Sequence, residues 1–201
     1  MEAFKEFIWR LFEPLATFFV MLKYKNIWGL KAYLKESGSK SKLLNFVYNT
    51  YFLRRGSWVG IGSEMATTPC FPHGVMGITI SERAKFGKDV VIFQYSSIIF
   101  NSLEDSPTFG SPTIGNNVYI GAGATIVGNI TIGDNCRIGA GAVVCKDMAP
   151  NTVAVLPPTR YIPKQNLDNT YYAHERGRTF YYKDGRYHLD NRNKANQEKN
   201  R

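Results

Sequence analysis

Three histidines are spread over the 201 residues, His73 in the middle of the chain and His174 and His188 towards its end. An imidazole gains and loses its proton near neutral pH, so one placed beside a hydroxyl can act as a general base. A lone histidine serves as readily to satisfy a structural hydrogen bond, and its position alone leaves both uses open for His73. One histidine in the central stretch cannot assemble the three-imidazole shell of a zinc hydratase, so no metal site is read there. Cys70, Cys136 and Cys145 have neither metal-ligand spacing nor the pattern of a disulfide framework.

The frame that must position these groups is a repeat of six. An isoleucine or valine stands at 114, 120, 126, 132, 138 and 144, glycine follows it at 115, 121, 133 and 139, and Val118, Ala124, Ile130, Cys136 and Ala142 lie four places after it. A period of six fits neither a helix face at 3.6 residues nor strand alternation at two. It is the pattern of a parallel β-helix, in which three sixes close one triangular coil and stacked coils pair at about 4.8 Å. The aliphatic residue points into the prism, the small one fits where the walls converge, and Gly or Asn takes the positive φ of the corners. Cys136 therefore reads as a reduced core residue. Counting backwards, the register runs through Ile80, Phe86, Ile92 and Ile98, with Ala84, Val90 and Ser96 at the small positions. The sixteen residues from Ile98 to Ile114 read as twelve plus four, with 101–113 extruded as a polar loop.

This divides the chain into a helical N-terminal segment, 1–56, a β-helix domain, 57–162, and a C-terminal extension, 163–201, in which Thr179–Tyr182 and Arg186–Leu189 form a hairpin and Asn191–Arg201 is a disordered tail. Charge follows the division. Residues 1–60 carry ten Lys/Arg against four Asp/Glu, residues 161–201 nine against five, and the span between them six against seven. Basic flanks suit an anionic membrane surface or an acidic polymer; no nucleic-acid-binding signature accompanies them, and nucleic acid is not expected as a partner. Phe4, Phe7, Ile8, Leu11 and Leu15 share a helical face, and 14–22 is an uncharged run too short to span a bilayer. That segment either packs on the prism or lies on an anionic leaflet, helped by Arg10, Lys23, Lys25 and Lys31. With no secretory signal apparent, the expected location is the cytoplasm, including the inner face of the membrane.

Over residues 57–162 the sequence resembles the hexapeptide-repeat acyltransferases, in their serine acetyltransferase-like branch. Three pieces carry the resemblance: His73 followed by Gly77-Ile78-Thr79-Ile80; Val90–Ser97 with the loop after it; and the two IGAG corners running through VVCKDMAPNTVAV to Pro158-Thr159-Arg160-Tyr161-Ile162. It implies an all-β core built as a left-handed β-helix, an α-helical N-terminal segment and a small C-terminal extension, assembled as a homotrimer. It implies acetyl transfer from acetyl-CoA to a hydroxyl without a metal, His73 acting as general base. Ala122 and Ala140 match the small residues along the pantetheine arm; Lys146 and Arg160 match the basic residues near the nucleotide phosphates.

The acceptor side departs from the family. Trp58 stands where the Asp that orients the histidine is found, and Ser111 where a second substrate-binding histidine is found. These changes point away from free serine; the sequence also resembles related enzymes of polysaccharide biosynthesis that acetylate sugar hydroxyls, and that resemblance implies a sugar acceptor, in a saccharide or lipid-linked saccharide of capsule or exopolysaccharide biosynthesis. Serine O-acetylation is the alternative within the enzyme class. A non-catalytic scaffold in a membrane-associated biosynthetic complex is the alternative outside it. With Trp58 in the Asp's place, Glu64, Glu82 or a backbone carbonyl are the candidates for holding the imidazole.

Overall fold

The computed structural model describes residues 14, 15, 17–157, 170–175, 177–183 and 185–190. The chain divides into two compact units, Met1–Pro157 and Pro158–Arg201. Among the sequence expectations, the face built on Phe4, Phe7, Ile8 and Leu11, the position of Arg160 and the tail 191–201 lie outside the described residues.

In the first unit the sixes become thirteen short parallel strands on three walls of a prism. Wall A stacks β1 (Trp58–Val59), β3 (Thr79–Ile80), β6 (Ser97–Ile99), β9 (Thr125–Val127) and β12 (Val143–Val144). Wall B stacks β2 (Glu64–Met65), β4 (Lys85–Phe86), β7 (Thr113–Ile114) and β10 (Thr131–Ile132). Wall C stacks β5 (Val91–Ile92), β8 (Tyr119–Ile120), β11 (Arg137–Ile138) and β13 (Val153–Ala154). This is the parallel β-helix that the repeat implies, with the left-handed form that the family resemblance implies. Its hexad isoleucines are sealed: Ile80, Ile92, Ile98, Ile120, Ile126, Ile132 and Ile138 are all 0 % exposed, and every predicted small position from Ala84 to Ala142 is buried with them. Such a column of aliphatic side chains, closed off from water along its whole length, is the main source of the prism's stability. Cys136 is free and buried, its thiol donating to Ala149 O at 3.1 Å.

Two irregularities interrupt the eighteen-residue coil. Ser97 pairs with Thr125, and Lys85 with Thr113, so the loop adds ten residues to a coil. The interval from Ile98 to Ile114 is thus six plus ten, not twelve plus four, and no hexad is lost. The loop is pinched at its neck by paired backbone bonds between Asn101 and Gly110 (2.8 and 3.1 Å) and tied down by Asn129 N donating to Thr108 O at 2.8 Å. Residues 111–113 already belong to wall B. The second irregularity lies in the first coil, where Trp58 pairs with Thr79, Glu64 with Lys85 and Cys70 with Val91. Each spacing is twenty-one, and the three extra residues fall after Cys70, in the turn that carries His73.

The N-terminal end of the prism is closed by helices. Lys42–Leu53 is helical, capped by Ser41, and buries Val47, Tyr48 and Phe52. Ile27–Glu36 is a further helix, unmarked in the sequence reading. Its signal is Asn26, whose side chain accepts from Trp28 N and Gly29 N, ahead of a buried stripe at Ile27, Leu30, Lys31 and Leu34. Residues 17–24 are also helical. Lys31 is 6 % exposed, and its Nζ donates to Ile61 O (3.1 Å) and Ser63 O (2.6 Å), while Tyr48 Oη donates to Val59 O at 2.9 Å. The helices thereby satisfy first-coil carbonyls that have no earlier coil to pair with.

The second unit is a three-stranded antiparallel sheet, β14 (Tyr171–Glu175), β15 (Arg178–Lys183) and β16 (Arg186–Leu189). The expected hairpin is its last two strands. The first strand was missed because its Tyr-Tyr-Ala-His-Glu shows no apolar–polar alternation.

Candidate functional site

Three corners connect the walls, and the predicted residues divide between two of them. Where wall C turns into wall A, successive coils contribute Met76-Gly77, Gln94-Tyr95, Ala122-Gly123 and Ala140-Gly141. They are linked by Tyr95 N to Met76 O (2.9 Å), Gly123 N to Gln94 O (3.0 Å) and Gly141 N to Ala122 O (2.8 Å). His73 enters this column through the enlarged first-coil turn. That turn is held at its base by Ser57, whose Oγ donates to Val75 O (2.7 Å) and accepts from Ile78 N (2.9 Å). Farther along, Trp28 stacks on Phe71 with ring centroids 5.3 Å apart and planes 4° from parallel.

His73 is exposed, and its Nδ1 lies 2.7 Å from Gln94 Oε1. With its oxygen turned to the ring, the Gln94 amide accepts from a neutral imidazole protonated on Nδ1, the tautomer in which Nε2 carries the lone pair. Phe93 fixes the ring from the side, edge to face at 5.4 Å. The group holding the imidazole is therefore Gln94, one coil above, in place of Glu64, Glu82 or a backbone carbonyl. Glu82 instead accepts from Gly62 N at the A–B corner, and Glu64 sits 3.9 Å from Lys85 on wall B. Gln94 was findable from sequence only by counting the enlarged coil, which puts it twenty-one residues after His73.

Tyr95 next to it is the second residue the sequence reading overlooked. It has φ of 62° where the neighbouring coils place Gly77, Gly123 and Gly141, and its side chain is 63 % exposed. A non-glycine side chain in that region is uncommon and strained. Gly77 makes room for it, since a Cβ there would collide with the Tyr95 ring.

Ala122 and Ala140 lie on the same edge as His73, flanked by Gly121, Gly123 and Gly141. Their backbone is open to close approach by an extended chain, as a pantetheine arm would require. Lys146 is exposed but lies at the other end of wall A, on the A–B corner; Arg160 is outside the described residues. That A–B corner holds a cleft of about 430 Å³ lined by Trp58, Ser81, Glu82, Arg83, Ile99, Phe100 and Ser111. Ser81 and Ser111 hydroxyls are 2.9 Å apart, and Trp58 is 45 % exposed. Both departures from the family pattern, Trp58 and Ser111, thus line one cavity. Among the described residues, no three His, Cys, Asp or Glu side chains converge as a metal ion would need.

Residues 111–146 match the family described as bacterial transferase hexapeptide (six repeats), and the chain is a hexapeptide-repeat protein with the fold of the left-handed β-helix acyltransferases. Soybean serine acetyltransferase in complex with serine is similar at 28% identity and a TM-score of 0.55, over 68% of this chain and 56% of that one. Serine acetyltransferase of Neisseria gonorrhoeae is similar at 26% identity and a TM-score of 0.55, over 71% and 55%. Isoform 3 of the Entamoeba histolytica enzyme, solved with cysteine, shares the fold at 21% identity and a TM-score of 0.54, over 70% and 50%. The chain spans about half the length of these enzymes. No curated protein matches it.

Proposed function

We propose that the protein is an acetyl-CoA-dependent O-acetyltransferase acting on a sugar hydroxyl in cell-surface polysaccharide biosynthesis, with His73 as general base. The observation that carries the reading is the 2.7 Å contact between His73 Nδ1 and Gln94 Oε1, which holds the ring with Nε2 free for an acceptor hydroxyl, on the edge that also carries Ala122 and Ala140. Nε2 takes the proton of the acceptor hydroxyl as its oxygen attacks the thioester carbonyl, and the same proton goes to the departing thiolate. Gln94 keeps the tautomer and orientation of the ring throughout. The thioester arm runs along Ala122 and Ala140, with Lys146 towards the nucleotide phosphates.

A homotrimer completes the site. Wall B faces outward with Glu64, Lys85, Thr113 and Thr131, whereas walls A and C expose Trp58, Tyr119, Val143 and Val153. These exposed aromatic and aliphatic side chains suit contact with neighbouring prisms, which would bring one protomer's His73 edge towards the next protomer's wall A, with its cleft and Lys146. Light scattering should give three times 22.7 kDa.

The cleft favours a saccharide. Trp58 and Phe100 offer aromatic faces to a sugar ring, and Ser81, Ser111, Glu82 and Arg83 offer donors and acceptors to its hydroxyls. The second reading is free serine, the substrate bound in the soybean structure, whose charged ends would meet Glu82 and Arg83. Mass-spectrometric turnover of acetyl-CoA with serine, nucleotide sugars and oligosaccharides separates the two. Acetylated saccharide is the expected product, O-acetylserine alone transfers the proposal to the second reading, and no acetylated product from any of them ends both.

A further inference from the structure

The N-terminal helices carry apolar side chains on both of their faces, and among the described residues only one face is packed against the core. Along residues 17–24, Val20, Met21 and Tyr24 pack against the core. Leu15, Phe18, Phe19 and Leu22 lie on the opposite side at helical spacing and are 56, 58, 62 and 65 % exposed. The Lys42–Leu53 helix repeats the pattern. Val47, Tyr48 and Phe52 are buried, and Leu43 and Leu53 are exposed on the far side. Exposed aliphatic and aromatic residues aligned in this way mark a surface that meets an apolar medium.

Charge says which medium. Residues 14–57 contain eight Lys/Arg and one acidic residue, Glu36. Lys31 is committed to the cap, but Lys23, Lys25, Lys35, Lys40 and Lys42 are exposed. Lys23 and Lys25 directly follow the Leu15–Leu22 stripe, and no described helix is long and apolar enough to cross a bilayer. A stripe of Phe and Leu bordered by lysines matches a leaflet of anionic lipid, whose acyl chains receive the apolar side chains and whose headgroups receive the cations. We infer that the exposed face of residues 15–25 is an interfacial membrane-docking surface selective for anionic lipid. The inference stands whatever the acceptor proves to be.

The test is co-sedimentation of the full chain with vesicles of phosphatidylcholine alone and with about one third phosphatidylglycerol, at low and high salt. Binding is expected to the anionic vesicles at low salt, and to weaken as salt is raised. The triple variant Phe18→Ser, Phe19→Ser, Leu22→Ser should lose about tenfold or more of that binding with its thermal melt intact, because all three side chains are exposed. Lys23→Glu with Lys25→Glu should lose binding similarly and remove its salt dependence. Failure of the wild type to bind anionic vesicles overturns the inference, as does equal binding to both vesicle types or wild-type binding by the triple variant. A fall in assembly mass in the triple variant also overturns it, because the face would then belong to a second copy of the chain.

Discussion

Along the edge where wall B turns into wall C, the four coils after the first all do the same thing. Asp89, Asn117, Asn135 and Asn151 hold φ between 53 and 60°, and the amides form a ladder, Asn117 Nδ2 to Asn135 Oδ1 (2.9 Å) and Asn135 Nδ2 to Asn151 Oδ1 (3.3 Å). Beside it Asn116 donates to both carboxylate oxygens of Asp134. Along the C–A edge no two of the first three coils agree: one swells to hold His73, one puts tyrosine where glycine belongs, and one presents a bare alanine–glycine step. Both edges solve the same corner problem. The first uses self-complementary side chains that stabilise the stack, while the second has no such ladder and leaves Tyr95 and His73 exposed.

The sharpest way to break this contrast is a pair of substitutions. His73→Ala should lower kcat by roughly 10²–10⁴-fold with the thermal melt unchanged. Asn117→Ala should leave kcat alone and cost about 1 kcal/mol in denaturant titration, through loss of the amide bond to Asn135 and of asparagine's tolerance of positive φ. A loss of turnover in Asn117→Ala as large as in His73→Ala would show that the edges are not functionally distinct. Both edges rest on the shared core, so Ile126→Ala should destabilise by about 2–5 kcal/mol through the cavity left behind. Retention of the full melting temperature would mean that the register is wrong.

Gln94→Leu sharpens the contrast further. It should reduce kcat about tenfold with the KM for acetyl-CoA unchanged, because only the tautomer and aim of His73 are lost, and Gln94→Glu should restore most of it. Equal kcat in Gln94→Leu would remove the positioning role. The smallest effect belongs to the ladder. The backbone N–H and then the side chain of Asn116 bond to Asp134 and hold its carboxyl below the ordinary value of 3.8. A depressed carboxyl adds stability that is present above 3.8 and disappears as pH falls through the folded-state value. The melting difference between wild type and Asp134→Asn should therefore be small at neutral pH and vanish in strong acid. A difference that grows on acidification would reverse the sign of this contribution.

The prism was legible because its constraint is strictly local: each hexad isoleucine meets the one a coil away, so the period is written in the sequence from 114 to 144. Walls and small positions followed from it, and so did the placement of Ala122 and Ala140 on adjacent coils. His73 was picked out by type and by resemblance, but its setting was not visible. The swelling between Cys70 and Thr79 carries no repeat to count by, and without that count Gln94 does not line up with His73. The cleft was invisible for another reason. It gathers Trp58, Ser81–Arg83 and Ser111 from three coils, and the misplaced loop insertion hid where Ser111 falls. The Ile27–Glu36 helix went unread because its buried stripe includes a lysine, whose amine is satisfied only by carbonyls thirty residues away.

That lysine has a consequence for solubility and growth. A stack of identical coils has no intrinsic length, and its first coil is a strand edge open to pairing with a coil of another molecule, as a growing fibre end is. Lys31 and Tyr48 occupy the carbonyls such a molecule would use. Burial lowers the Lys31 amine to about 8, so it enters the cap at some cost in its charged form; a bare apolar lid would close the end but leave Ile61 O and Ser63 O unsatisfied. Lys31 and Tyr48 therefore close the first coil's edge to a coil of another molecule, which favours a discrete molecule over end-to-end growth.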